Sequence, residues 1–200
     1  MHHIPKLSAP DDSMRMGETT LAEGQGLPLS FGHAYLTLLV CLCGSAHFTL
    51  NFKEHAVRRG AVMLLAEDTI ALLKRRSRRF KVFFCLMPKS FAAEVAYPLP
   101  NTLFVFLHDH PHCVPSKDDM PLIEGWVTQM RNIAQTCPTY QRIMLRNQLQ
   151  NLFLKIAEQL PANQIENRGF SRKEMLSWRF WELIGKHCVR HRDVKFYADA

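Results

Sequence analysis

The sequence predicts a mainly β unit followed by helices, and three observations support this prediction. Between residues 29 and 107, apolar residues recur in short runs, in places alternating with polar residues as in a half-buried strand. From Ser116 onward, apolar residues recur instead at helical spacing, and Pro138 and Pro161 end the helical stretches. We therefore expect a β-barrel, an antiparallel pair of helices and a further helical segment.

The composition excludes several classes of protein. The chain has 200 residues, 47% of them hydrophobic, which is typical of a globular protein. No apolar run reaches the roughly 20 residues of a membrane helix. The first residues do not have the pattern of a signal peptide, so we expect a cytoplasmic protein. Six cysteines are scattered without a CxxC pair, and reduced thiols are expected.

The chain carries a net charge of +7, which favours polyanionic partners, above all nucleic acid. One concentration of basic residues runs from Lys74 to Lys81. It is interpreted either as a solvated turn at the rim of the barrel or as a site for an anionic ligand or DNA phosphates.

The β region is expected to consist of short strands. An apolar strand over residues 35–43 ends at Gly44, and Phe48, Leu50 and Phe52 then alternate with polar residues, which predicts that these three face inward. Short strands at this spacing are typical of a sandwich or a small barrel. Further strands are predicted near residues 19–22 and over residues 57–65, 69–73, 80–87 and 103–107.

Two helices are predicted after the β region. The first begins at Ser116 or Asp118, has Pro121 in its first turn and ends before Pro138. The second spans about residues 139–160, and its apolar face is too wide for a single neighbour. One side is expected to pack on the barrel or the first helix and the other to form a symmetric dimer contact. The residues predicted for that contact are Leu145, Leu149, Leu152, Phe153 and Ile156.

The last part of the chain combines basic residues with helix signals. Ser171 and Glu174 form a capping box, and a second short helix is expected to begin near Asp193. The apolar faces of these two helices have little in the sequence to cover them. The segment is therefore interpreted as the beginning of a longer domain.

These last residues resemble the entry to the DNA-binding domain of AraC-type bacterial transcription regulators. The resemblance rests on a helix with Phe180, Leu183 and Ile184, followed by Arg192 and the VKFYAD segment. It extends over the whole chain, because this family often places a small β-barrel and a helical pair upstream. It implies a cupin-like double-stranded β-helix sensor barrel over residues 1–115, a helical dimerisation region over 116–168 and a truncated start of a helix-turn-helix domain over 169–200.

The resemblance further implies a homodimer, DNA as partner of the full-length protein and a small-molecule effector. The barrel offers a candidate ligand site, with Phe48 and Phe52 as apolar walls and Tyr35 and Thr37 as polar anchors. A dry core, in a barrel that dimerises without a ligand, is the alternative. The residues expected to contact DNA phosphates are Arg172, Lys173, Arg190, Arg192 and Lys195. Base readout would need a recognition helix, so weak binding without sequence preference is predicted.

A second hypothesis concerns the run from His108 to Cys113. Histidines and Asp109 so close together can bind zinc or a redox metal, which would suit a cupin-type metal-dependent enzyme or small-molecule binder using His108 to His112. The HxH pattern of cupin enzymes is absent from residues 47–52, and neighbouring prolines favour an exposed connector. No nucleophile motif or glycine-rich phosphate loop is present, so neither catalysis nor a cofactor is expected.

Overall fold

The computed structural model describes residues 14–22, 26, 28–29, 31, 34–116, 118–158, 183 and 193–199. The chain divides into two compact units, residues 1–159 and 160–200. The predicted domain boundaries at residues 115 and 168 stay predictions. In the described part of the chain, no helix is long and apolar enough to cross a membrane.

Among the described elements, seven strands precede the helices as predicted, and the short strand β8 lies between α2 and α3. The strands are β1 (Arg15–Thr19), β2 (Leu36–Cys43), β3 (Ser45–Leu50), β4 (Lys53–Arg58), β5 (Val62–Ala66), β6 (Ala71–Arg76), β7 (Lys81–Met87) and β8 (His112–Cys113). The helices are α1 (Lys89–Ala96), α2 (Asn101–Asp109), α3 (Met120–Thr136), α4 (Gln141–Glu158) and, in the second unit, α5 (Val194–Asp199).

The strands form two antiparallel sheets that enclose one apolar core. One sheet has the order β1-β7-β2-β5-β8 and the other has the order β4-β3-β6. Inward side chains from both sheets, among them Leu39, Phe48, Met63 and Leu86, belong to one buried cluster. The predicted fold class, mainly β with a barrel-like pair of sheets followed by helices, is confirmed. The predicted helix-turn-helix start lies largely outside the described residues.

Gly44 carries the chain from one sheet to the other. Its φ of +74° lies in the left-handed region that favours glycine. A Cβ atom at this position would stand 2.6 Å from both the backbone nitrogen of Phe80 and Oγ of Ser77. The turn between β2 and β3, which the sequence predicted at this glycine, therefore depends on the absence of a side chain.

Two helices occupy stretches for which the sequence predicted no helix. Pro88 ends β7 and occupies the N-cap position of α1, and proline is well suited to a helix start because it needs no donor there. The predicted strand over residues 103–107 is part of α2, which brings Leu103 and Leu107 to the same buried side. A short apolar run does not distinguish a strand from a buried helix, which explains the wrong prediction.

The two long helices are confirmed, but the predicted dimer contact is not exposed. All five residues predicted for it have 7% or less of their surface exposed. On this side α4 packs against α1 and α3, and the ring of Phe153 lies 5.9 Å from that of Phe104 in α2. Helices α1 and α2, which were not predicted, account for part of this burial. Leu145, Leu149, Leu152, Phe153 and Ile156 are therefore core residues of the monomer.

The hairpin between β3 and β4 turns at Asn51 and Phe52, which have positive φ angles of 45° and 68°. Two-residue hairpin turns of this type favour asparagine followed by glycine, because a Cβ atom is strained in this region. We therefore expect Phe52→Gly to raise the free energy of unfolding by roughly 1 kcal/mol, measured by urea denaturation. Phe52→Ala is the control, since it removes the ring and keeps the Cβ atom. Equal stability of the two variants would contradict this explanation.

Candidate functional site

Two of the four predicted ligand residues lie inside the barrel. Thr37 in β2 is opposite Leu65 and Leu86, both core residues, and only 2% of its surface is exposed. Phe48 is equally buried, and its ring centroid lies 6.1 Å from that of Phe80. Both residues therefore face the same apolar interior.

The other two, Tyr35 and Phe52, lie at the surface. Tyr35 immediately precedes β2, and the ammonium group of Lys89 stands 5.7 Å from the centroid of its ring. Phe52 is 85% exposed. The inward orientation predicted for Phe52 is wrong, because β3 ends at Leu50 and the alternation stops where the chain turns. The structure does not bring the four predicted residues together.

Two half-buried histidines that the sequence did not connect meet at the edge of the barrel. His55 in β4 lies opposite Phe48, and His112 in β8 lies opposite Met63, so both face the core. Their ring centroids are 5.5 Å apart, with an interplanar angle of 80°. Nε2 of each ring is buried and has no hydrogen-bond partner.

Burial lowers the pKa of both imidazoles and so favours their neutral form. Burial, followed by the neighbouring charge of His55, lowers the pKa of His112. Burial, followed by the charge of Lys53, lowers the pKa of His55. A neutral imidazole presents one nitrogen as a donor and the other as an acceptor or metal ligand.

The remaining histidines of the 108–112 run do not join this pair. His108 is exposed near the end of α2, on a helix rather than in the predicted connector. His110 is exposed, with its ring stacked on that of Phe106 at 4.5 Å. Among the residues that the structure describes, no three histidine, cysteine, aspartate or glutamate side chains converge on a metal position. The predicted cluster therefore does not form a site of its own there.

A pocket lies between the barrel and α3. Its apolar lining includes Val40 from β2 and Ile123 and Val127 from α3. The volume of the pocket is about 140 Å³. Arg59 and Glu124 line it as well, with a guanidinium-to-carboxylate distance of 2.5 Å. The pocket thus combines an apolar wall with one cation whose partner is a carboxylate on α3.

The basic run covers the end of β6 and the turn into β7. Nζ of Lys74 lies 2.8 Å from a carboxylate oxygen of Glu54, and Nη2 of Arg75 lies 3.1 Å from Nε2 of His47. Of the residues predicted to contact DNA, only Lys195 is described, exposed on α5. Arg172, Lys173, Arg190 and Arg192 lie outside the described residues.

The outer face of α4 is exposed and carries no charge over most of its length. We define it as Tyr140, just before the helix, with Ile143, Met144, Asn147, Asn151 and Leu154, which follow one side at 3.6 residues per turn. Glu158, an exposed charged residue, lies on the same side one turn beyond Leu154. Tyr140, Ile143, Met144 and Leu154 are large apolar side chains in contact with solvent. This side lies opposite the buried face of the same helix.

Comparisons with known proteins were made for the family, for curated sequences and for solved structures. No protein-family model and no curated protein matches the sequence. Apo ToxT from Vibrio cholerae is 11% identical, with a TM-score of 0.48 over 96% of this chain and 88% of that chain. The AraC-like transcriptional activator CuxR is 11% identical, with a TM-score of 0.45 over 87% of this chain and 58% of that chain. A cupin protein from Bacteroides fragilis is 14% identical, with a TM-score of 0.24 over 42% of this chain. These values are too low to carry an argument about function, which must come from the residues described above.

Proposed function

We propose that this chain is the sensor and dimerisation region of an AraC-type DNA-binding transcription regulator and has no catalytic activity. The observation that supports this most is the combination of a two-sheet barrel, a helical pair packed on it and a short helix at the VKFYAD segment. Oδ1 of Asp193 accepts a hydrogen bond from the backbone nitrogen of Lys195 at 3.0 Å, which caps α5. This is the order of elements that the sequence resemblance implies.

An effector is proposed to bind in the pocket between the barrel and α3. The volume of about 140 Å³ is close to that of a cavity of about 150 Å³ that holds benzene in another protein. A small carboxylic acid of that size can place its apolar part on Val40 and Ile123. Its carboxylate can then replace Glu124 as the partner of Arg59. Binding would favour one position of α3, which is a shift of population between two arrangements.

The homodimer is proposed to form through the outer face of α4. This face presents no charged side chain between Tyr140 and Leu154, so a second copy can approach it without like-charge repulsion. An isologous contact needs a surface that complements itself, which an uncharged helix face provides. Asn147 and Asn151 within the face can fix the register of the two helices, as a buried asparagine does in coiled coils.

A measurement of DNA binding by the basic terminal segment tests the proposed function. We expect the protein to raise the fluorescence anisotropy of a labelled DNA duplex, with similar affinity for unrelated sequences. A plot of the logarithm of the affinity against the logarithm of the salt concentration should be linear. Its slope should be about −0.9 for each phosphate contacted. A variant with Arg190, Arg192 and Lys195 replaced by alanine should bind more weakly and show a shallower slope.

The matched control replaces Arg75, Arg78 and Arg79 in the barrel's basic run with alanine. It removes the same number of charges and should leave the salt slope nearly unchanged. An absence of binding at low salt would contradict the proposed function. A loss of binding in the control alone would place the DNA contact on the barrel instead.

A further inference from the structure

The pair His55–His112 lies where the two sheets of the barrel meet. β4 is an edge strand of the three-stranded sheet and β8 is an edge strand of the five-stranded sheet. The pairing of Phe48 with His55 and of Met63 with His112 directs both imidazoles to the core side. The two side chains therefore come from edge strands of separate sheets and meet there, each half-buried.

The unsatisfied nitrogens require an explanation. A buried polar atom without a hydrogen bond costs about 1–3 kcal/mol. Here two such atoms occur side by side, since Nε2 of His55 and Nε2 of His112 both lack a partner. The edge-to-face geometry of the rings does not provide a hydrogen bond between them. A single bound species that accepts both lone pairs would satisfy both atoms at once.

We propose that His55 and His112 form a two-histidine site for a divalent transition-metal ion of the Zn²⁺ class. Imidazole nitrogen is a preferred ligand of zinc, copper and nickel, whereas calcium and magnesium require oxygen ligands. The preference is therefore for a metal that imidazole binds well.

The protein supplies two ligands to this site. No third histidine, cysteine, aspartate or glutamate joins the pair among the described residues. Cys113 follows His112 in the strand and lies opposite Val62, on the other face of the sheet. The remaining coordination positions are thus left to water or to a small anionic molecule. This site is independent of the proposed role in DNA binding.

Titration of metal-free protein tests the proposal. We expect protein dialysed against a chelator to bind one Zn²⁺ ion per chain in isothermal titration calorimetry with ZnCl₂. His55→Gln and His112→Gln should each weaken binding by at least about tenfold, a loss seen even when only outer-shell partners of a metal are changed. Two controls, His47→Gln and the double variant His108→Gln/His110→Gln, should bind as the wild type does.

A second measurement uses the wild type, so it does not depend on how well a variant folds. Zn²⁺ should slow the modification of His55 and His112 by diethyl pyrocarbonate, read by peptide mass spectrometry, and leave the rate at His47 unchanged. Equal rates with and without Zn²⁺ would overturn the proposal. So would zinc binding that persists in His55→Gln and His112→Gln, or that is lost in the double control.

Discussion

Leu149→Asp is expected to prevent cooperative folding of the first unit. Leu149 is fully buried in α4, and an ionised carboxylate there would have no partner. Leaving a charge unpaired in a protein interior costs about 3–5 kcal/mol, added to the roughly 2–5 kcal/mol lost when a buried leucine side chain is removed. Together these terms approach the 5–15 kcal/mol that stabilises a typical domain. Circular dichroism during thermal unfolding should show no sharp transition.

The matched control is Leu122→Asp, the same substitution at an exposed position of α3. A surface change of this kind should alter the free energy of unfolding by less than about 0.5 kcal/mol. A Leu149→Asp variant that melts like the wild type, with only its oligomeric state changed, would contradict the inner position of this residue. It would restore the dimer contact predicted from the sequence.

Much of the β unit follows from local patterns. The alternation of Phe48 and Leu50 with polar neighbours predicts their burial, and Gly44 marks the turn where the chain changes sheet. The same alternation predicts that Phe52 is buried. The chain turns at this residue, however, and its side chain is exposed. A hairpin reverses the chain at the residue where the strand ends, and hydrophobicity alone does not locate that residue.

The helical part shows why burial is harder to predict than periodicity. The 3.6-residue pattern correctly indicated α3 and α4, because both helices are long and their apolar residues are evenly spaced. Which face of α4 is covered depends on α1 and α2, whose short apolar runs also suit strands. Once those helices form, the wide apolar face of α4 becomes an interior face.

The histidine pair could not be predicted from the sequence. No sequence pattern singles out His55, His112 belongs to a run predicted to be an exposed connector, and the two are far apart in the chain. They meet only because β4 and β8 become the edges of two different sheets. The sequence does contain one signal, since His112 belongs to a histidine-rich run, but it does not identify the partner.

The proposed function gives α4 two roles: its buried face packs against α1 and α3, and its outer face is proposed to bind a second copy. Ile143→Lys/Leu154→Lys places two cations on that outer face, where a dimer would bring each close to the same charges of its partner. We expect this double variant to keep the thermal stability of the monomer, because Ile143 and Leu154 are both exposed. Leu122→Lys on α3 is the control for an added charge on an exposed helix.

Sedimentation equilibrium over a range of protein concentrations tests this claim most directly. We expect the wild type and Leu122→Lys to approach twice the chain mass of 23.1 kDa as concentration rises. We expect Ile143→Lys/Leu154→Lys to stay at the chain mass throughout. A wild type that is monomeric at every concentration, or a double variant that still dimerises, would contradict it.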